Sequence, residues 1–112
     1  MKLFMECTIG NHYLIGREVE SIMDVGIIVD IETTGLDPNK DKIIEIGICE
    51  FGWEEGAEPI LLSMYGGLED PGIPLDPYIS KLTGLTDHSL KNQKIDWQLV
   101  QNFWQRANIV IE

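Results

Sequence analysis

The chain has 112 residues, 44% of them hydrophobic and 24% charged, which suits one globular domain with its own core and leaves no room for a second of ordinary size. Eight basic residues against nineteen acidic ones give a formal charge of −11, which opposes an extended electrostatic grip on nucleic acid, so any such contact must be local and metal-assisted. No apolar run approaches the ~20 residues of a membrane span and Glu6 interrupts the only signal-peptide-like start, so the expected location is cytoplasmic, with no membrane partner.

Residues 1–24 carry no firm pattern and are taken as an N-terminal extension of unclear structure, either a leftover of upstream sequence or a functional arm. Cys7 and Cys49 match no Cys-x-x-Cys spacing and read as reduced packing residues, neither a zinc site nor a disulfide scaffold. From Val25 the pattern sharpens. Val25, Ile27, Val29 and Ile31 alternate with Gly26, Ile28, Asp30 and Glu32, so an apolar strand ends in two acids that share a face. Their Cα atoms are roughly 6.5 Å apart in an extended chain, close enough for both carboxylates to converge on hard cations. Thr33-Thr34-Gly35 ends the strand.

Residues 36–41 are dense in turn formers, and alternation resumes over residues 42–53 with Ile44, Ile46 and Ile48 on one face. A third strand is expected over residues 60–65, completing an antiparallel meander, followed by a Gly/Pro-rich loop over residues 66–75. Asp76-Pro77 is an N-cap with proline at the first helical position, and Gly84 stops that helix. Thr86 caps a further turn, and Asp96 caps the best helix, in which Leu99, Val100, Phe103, Trp104 and Ala107 form one apolar stripe, Trp104 included as core. Residues 109–111 begin a strand parallel to the first. Together these elements predict an α/β fold with a mixed sheet: a three-stranded meander, then helices, then a parallel strand. With Glu112 following directly on that strand, the domain over residues 25–112 is expected to be truncated.

The string Asp30-Ile31-Glu32-Thr33-Thr34-Gly35-Leu36-Asp37 resembles the first motif of the DEDD 3′–5′ exonuclease superfamily, especially the proofreading epsilon subunit of bacterial DNA polymerase III and its relatives. Residues Lys42 to Gly47 (KIIEIG) look like that family's second strand and Ile79 to Asp87 like its helix-entry segment, and the likeness runs from Val25 to the end. The resemblance implies an RNase H-like fold and hydrolysis of phosphodiesters from the 3′ end of a single strand, DNA before RNA, with a DNA polymerase as candidate partner. It implies two Mg2+ ions, replaceable by Mn2+, ~3.5–4 Å apart. By motif match Asp30 bridges both ions and Glu32 binds the nucleophile-side ion and the terminal 3′-hydroxyl. Thr33 positions the terminal nucleotide through its backbone, and Leu36 wedges against its base.

The family continues with a His-Asn-x-x-Phe-Asp motif and a later His or Tyr motif carrying the last Asp, and no residue of this sequence maps onto either. The 112 residues are therefore expected to be inactive by themselves. The alternative is a non-catalytic remnant or interaction module completed by another chain. A third reading takes Asp30-x-Glu32-x-Thr34 as a distorted phosphotransferase motif, with Asp30 as nucleophile; turnover of an aryl phosphate separates it from a nuclease. His88 lies away from where the family places its base, and Glu45 and Thr83-Gly84 have plain structural readings as a partly buried acid and a helix stop.

Overall fold

β-Branched and aromatic residues alternate through the first half of the chain. In a computed structural model, which describes residues 23–112, they form three long strands: β1 (Asp24–Thr33), β2 (Ile43–Trp53) and β3 (Ile60–Leu68). The helices α1 (Pro77–Thr83), α2 (Asp87–Leu90) and α3 (Trp97–Arg106) follow, and then β4 (Ile109–Ile111). The sheet order is β3-β2-β1-β4, with β4 parallel to β1 in the register Gly26↔Ile109, Ile27↔Val110 and Ile28↔Ile111. Parallel neighbours need a long crossover, which the three helices supply. The mixed α/β sheet expected of an RNase H-like fold is present, with its meander in the antiparallel sense. Among the described residues no helix is long and apolar enough to cross a membrane.

The described residues form two compact units. The first comprises residues 23–30, Gly47–Tyr65 and Trp97–Glu112. Ile27, Ile48 and Cys49 are fully buried there, and Phe103 of α3 is buried too. Gly26 has no room for a side chain: a Cβ would lie 2.6 Å from Phe51 Cζ and 2.9 Å from Ile109 Cγ2. Asn108 extends the β1–β4 pairing by one residue, its amide donating to the Val25 carbonyl at 2.7 Å and its side-chain oxygen accepting from the Val25 amide at 2.8 Å. Glu50, only 6% exposed, accepts from Arg106 Nε at 3.0 Å and from the Ser63 hydroxyl at 3.5 Å, while the Arg106 guanidinium lies 4.9 Å from the centroid of the Phe103 ring. A carboxylate buried this far requires such partners.

Three local expectations differ from the structure. Trp104 is 49% exposed rather than core. At about 100° per residue it lies roughly a quarter-turn round α3 from Phe103, at the margin of the stripe whose centre is buried. β3 runs three residues past its expected end, through Gly66-Gly67-Leu68, and the Glu69 amide still donates to the Ile44 carbonyl at 2.9 Å; ladder pairing overrides the low strand propensity of two glycines. Cys49, packed against Ile28 and Leu61, is disulfide-bonded rather than a free thiol. Spacing rules detect multi-bridge scaffolds and metal knots, and a single bridge leaves no such spacing.

The second unit comprises Ile31–Ile46 and Gly66–Asp96. Its core is Ile44, Leu75 and Leu90, with Leu68, Ile79 and Leu85 packed against them. Around this small core, carboxylates take up backbone amides. Asp76 caps α1 through the Tyr78 amide at 2.8 Å, and Gly84, at φ 78°, closes the helix with its amide on the Ser80 carbonyl. Thr86 and Ser89 form a reciprocal capping box on α2. Asp87 accepts from the Leu75 amide and Glu69 from that of Ile95. Asp70 accepts from the amides of Asn92 and Gly72, which hold its carboxyl below the usual range.

Candidate active site

The two acids of the strand-end motif stand where the sequence places them. Asp30 and Glu32 occupy alternate positions of β1, both partly buried, and Ile31 between them is 44% exposed. Alternate positions of a strand share a face. No described residue donates a hydrogen bond to either carboxylate or pairs with it, and in this they differ from most of their neighbours. The carboxylates of Asp37, Asp41, Glu50, Glu69, Asp70, Asp76 and Asp87 all accept from protein donors. Partly buried acids left without protein partners are free to take an external cation, and carboxylate oxygens are hard donors suited to Mg2+ or Mn2+. The donor set fits such an ion, but as half a cage: among the described residues no group of three or more His, Cys, Asp or Glu gathers as a metal site.

Thr33 ends β1, and its hydroxyl donates to the Gly35 carbonyl, turning the chain away from the strand direction. Leu36 follows at 99% exposure, with no core to join. The turn beneath it is tied down at several points. The Thr34 amide donates to the Lys42 carbonyl and the Lys42 amide to the Thr34 hydroxyl, each at 2.9 Å, while the amides of Lys40 and Asp41 donate to the Asp37 carbonyl. Asp41 accepts from the Asp37 amide at 2.8 Å and from the Thr34 hydroxyl at 2.9 Å. These bonds, the Asp37 amide first, hold its carboxyl below the usual range, with the Lys40 charge contributing in the same direction. Sequence reading had placed Asp41 merely among turn formers. The available signal was the pairing of Gly35 with an acid six residues later, which has no helix or strand period.

His88 is an exposed residue of α2, its carbonyl accepting from the Lys91 amide. Glu45 lies partly buried on β2, and Thr83 donates its hydroxyl to the Ile79 carbonyl within α1, next to the helix stop at Gly84. Trp53 stacks at 5.4 Å on Phe51, within the first unit.

A model of the RNase T family, described as exonuclease, matches residues 27–110, from the buried centre of β1 to β4. The chain belongs to this exonuclease family. Its DEDD-type relationship is also seen in curated relatives, among them DNA polymerase III proteins of the PolC type. The protein of Caldanaerobacter subterraneus is 28% identical over 92 residues, 82% of this chain and 6% of that protein. Those of Thermotoga maritima and Streptococcus agalactiae are 32% and 29% identical over 77 residues, 69% of this chain and 5% of each of them. The exonuclease-family chain thus spans only about a twentieth of the length of these polymerases.

Proposed function

We propose that residues 25–112 are the N-terminal part of a 3′–5′ exonuclease domain that acts on the 3′ end of single-stranded nucleic acid, DNA before RNA, with residues 1–24 as an extension. The observation that carries this reading is the pair of partly buried, unpartnered carboxylates at alternate positions of β1, immediately before a turn that exposes Leu36 completely. Asp30 and Glu32 would together hold Mg2+ or Mn2+. Bound there, the ions would supply an activated water and charge stabilisation of the leaving oxygen. Glu32 also orients the terminal 3′-hydroxyl, the Thr33 backbone fixes the last nucleotide, and Leu36 presses on its base, so that the final phosphodiester is held in line. The PolC-type relatives support a DNA polymerase as the partner.

Two carboxylates make a weak cage and leave the water without a general base, so the 112 residues alone bind a 3′ end without hydrolysing it. The test is a 5′-labelled single-stranded oligonucleotide with Mg2+. The expected result is metal-dependent binding that prefers a free 3′-hydroxyl and is lost in Asp30→Ala and Glu32→Ala, with no shortening. Metal-dependent shortening that survives Asp30→Ala would sink the assignment of the site.

A second reading, an interaction module completed by another chain, is favoured by β4. This three-residue strand is at the sheet edge, with Ile109 and Ile111 both exposed, an invitation to strand addition. If it holds, the chain associates through that edge, and Ile111→Lys abolishes the association while leaving oligonucleotide binding unchanged.

A further inference from the structure

One side chain adds two bonds of its own to those that tie down the turn after β1, and neither the metal-binding pair nor the nucleotide contacts use it. Asp41 reaches back seven residues to the Thr34 hydroxyl with one oxygen and four residues to the Asp37 amide with the other, at 2.9 and 2.8 Å. Its carboxylate therefore brackets Gly35 and Leu36 from both sides. The space between is closed: a Cβ on Gly35 would lie 2.5 to 2.8 Å from the three carboxyl atoms. The Thr34 hydroxyl that donates to Asp41 also accepts from the Lys42 amide, so the clamp is anchored on the residue that precedes β2. Asp70 and Asp87 also reach far along the chain, but two acids near helix or turn starts do not. Asp37 and Asp76 each take the amide two residues ahead, a local turn that sets nothing beyond itself.

Leu36 is 99% exposed and is carried on a turn whose flanking residues, Thr34 and Asp37, are both bonded to one carboxylate. We propose that Asp41 is a positioning residue, whose carboxylate fixes the turn over residues 34–37 so that Leu36 meets the terminal base of a single-stranded 3′ end in one preset orientation. This rests on the reading of Leu36 as the contact to the terminal base. A side chain ordered before binding spares the complex the entropy of ordering it, so loss of the clamp weakens end binding by about tenfold without removing any contact.

Gly35 offers an independent way to disturb the clamp, because Gly35→Ala displaces the carboxylate while leaving it in the chain. Two measurements on the 112-residue chain decide the matter. In 15N relaxation, the Leu36 amide is rigid in the wild type, with an order parameter of about 0.85, and falls below about 0.6 in Asp41→Ala and in Gly35→Ala. In fluorescence anisotropy with Mg2+, both variants bind a linear oligonucleotide about tenfold more weakly, as Leu36→Ala does, while binding to a circular single strand without ends is unchanged. Asp41→Ala placed on Leu36→Ala adds no further loss, since the two act through one contact. Asp41→Asn keeps one acceptor oxygen, which the Asp37 amide requires, and turns its NH2 to the Thr34 hydroxyl, so with its charge lost it falls between wild type and Asp41→Ala.

A Leu36 amide that stays equally rigid in both variants overturns the positioning role, and so does a double variant whose losses simply add, or an equal loss on linear and circular strands. A wild-type chain that prefers linear over circular strands not at all overturns the reading of the whole site, and is recognised by that result before any variant is made.

Discussion

The two units of the molecule are held together by different physics. In the first, Ile27, Ile48, Cys49 and Phe103 are buried, Gly26 lies against aromatic rings, and the buried acid Glu50 has its own arginine. In the second, a smaller apolar cluster is surrounded by acids that accept backbone amides, Asp41, Asp70, Asp76 and Asp87 among them. Burial is non-directional and scales with area, whereas a carboxylate–amide bond fixes one loop in one conformation and depends on the charge of the acid. The first unit therefore supplies stability, and the second supplies shaped loops.

The sharpest way to break this contrast is Ile27→Ala, expected to cost about 2–5 kcal/mol because Ile27 is 0% exposed and the rigid strand around it cannot collapse into the cavity. Chemical denaturation reads it, and a loss under about 1 kcal/mol would mean that the strand relaxes freely. Gly26→Val follows at about 1–3 kcal/mol, as overpacking against Phe51 and Ile109. Arg106→Ala should cost about the same, about 1–3 kcal/mol, by leaving the Glu50 carboxylate with only a long bond from Ser63. In the second unit, Thr86→Ala should cost about 1 kcal/mol through loss of the α2 capping box, measured by thermal unfolding.

Acid gives the smallest effect and the most telling one. Asp41 and Asp70 have folded-state values below their ordinary one, so their contribution is fully present above about pH 4 and is lost as the pH falls through the lowered folded values. On titration below about pH 4, the amides of Asp37, Gly72 and Asn92 should shift and begin to exchange while that of Ile27 does not. Simultaneous loss of all four would mean that the loops and the buried strand melt as one unit.

Most of the fold was readable from local chemistry. Period-two alternation located β1 and β2 to within a residue or two, and Asp76, Gly84 and Thr86 marked the helix ends because caps act on adjacent backbone. The parallel fourth strand followed from the helices that precede it. What escaped was whatever depends on a partner far along the chain. Glu50 and Arg106 are 56 residues apart, and neither carries a mark of the other until the topology brings them together. β3 was extended by its pairing rather than by its own glycines, and Trp104 was misplaced because a helical stripe has a margin as well as a centre. At the candidate site, the motif singles out Asp30, Glu32, Thr33 and Leu36 because it is contiguous, and the structure puts the two acids at alternate positions of β1. Asp41 was not, since its function lies in bonds that fold back across the turn.

The crowding at Gly26 has an optical consequence. Trp53 Cζ3 and Ile109 Cγ2 both come within about 3 Å of the place where a Cβ would stand, and Phe51 lies against Trp53, so the half-buried indole of Trp53 shares its neighbours with the seat of β4 on β1. Trp97 and Trp104 are both exposed and emit as solvated indoles. Trp53 is the least exposed of the three, and a red shift of its emission during denaturation is expected to accompany the parting of β4 from β1, with no added label.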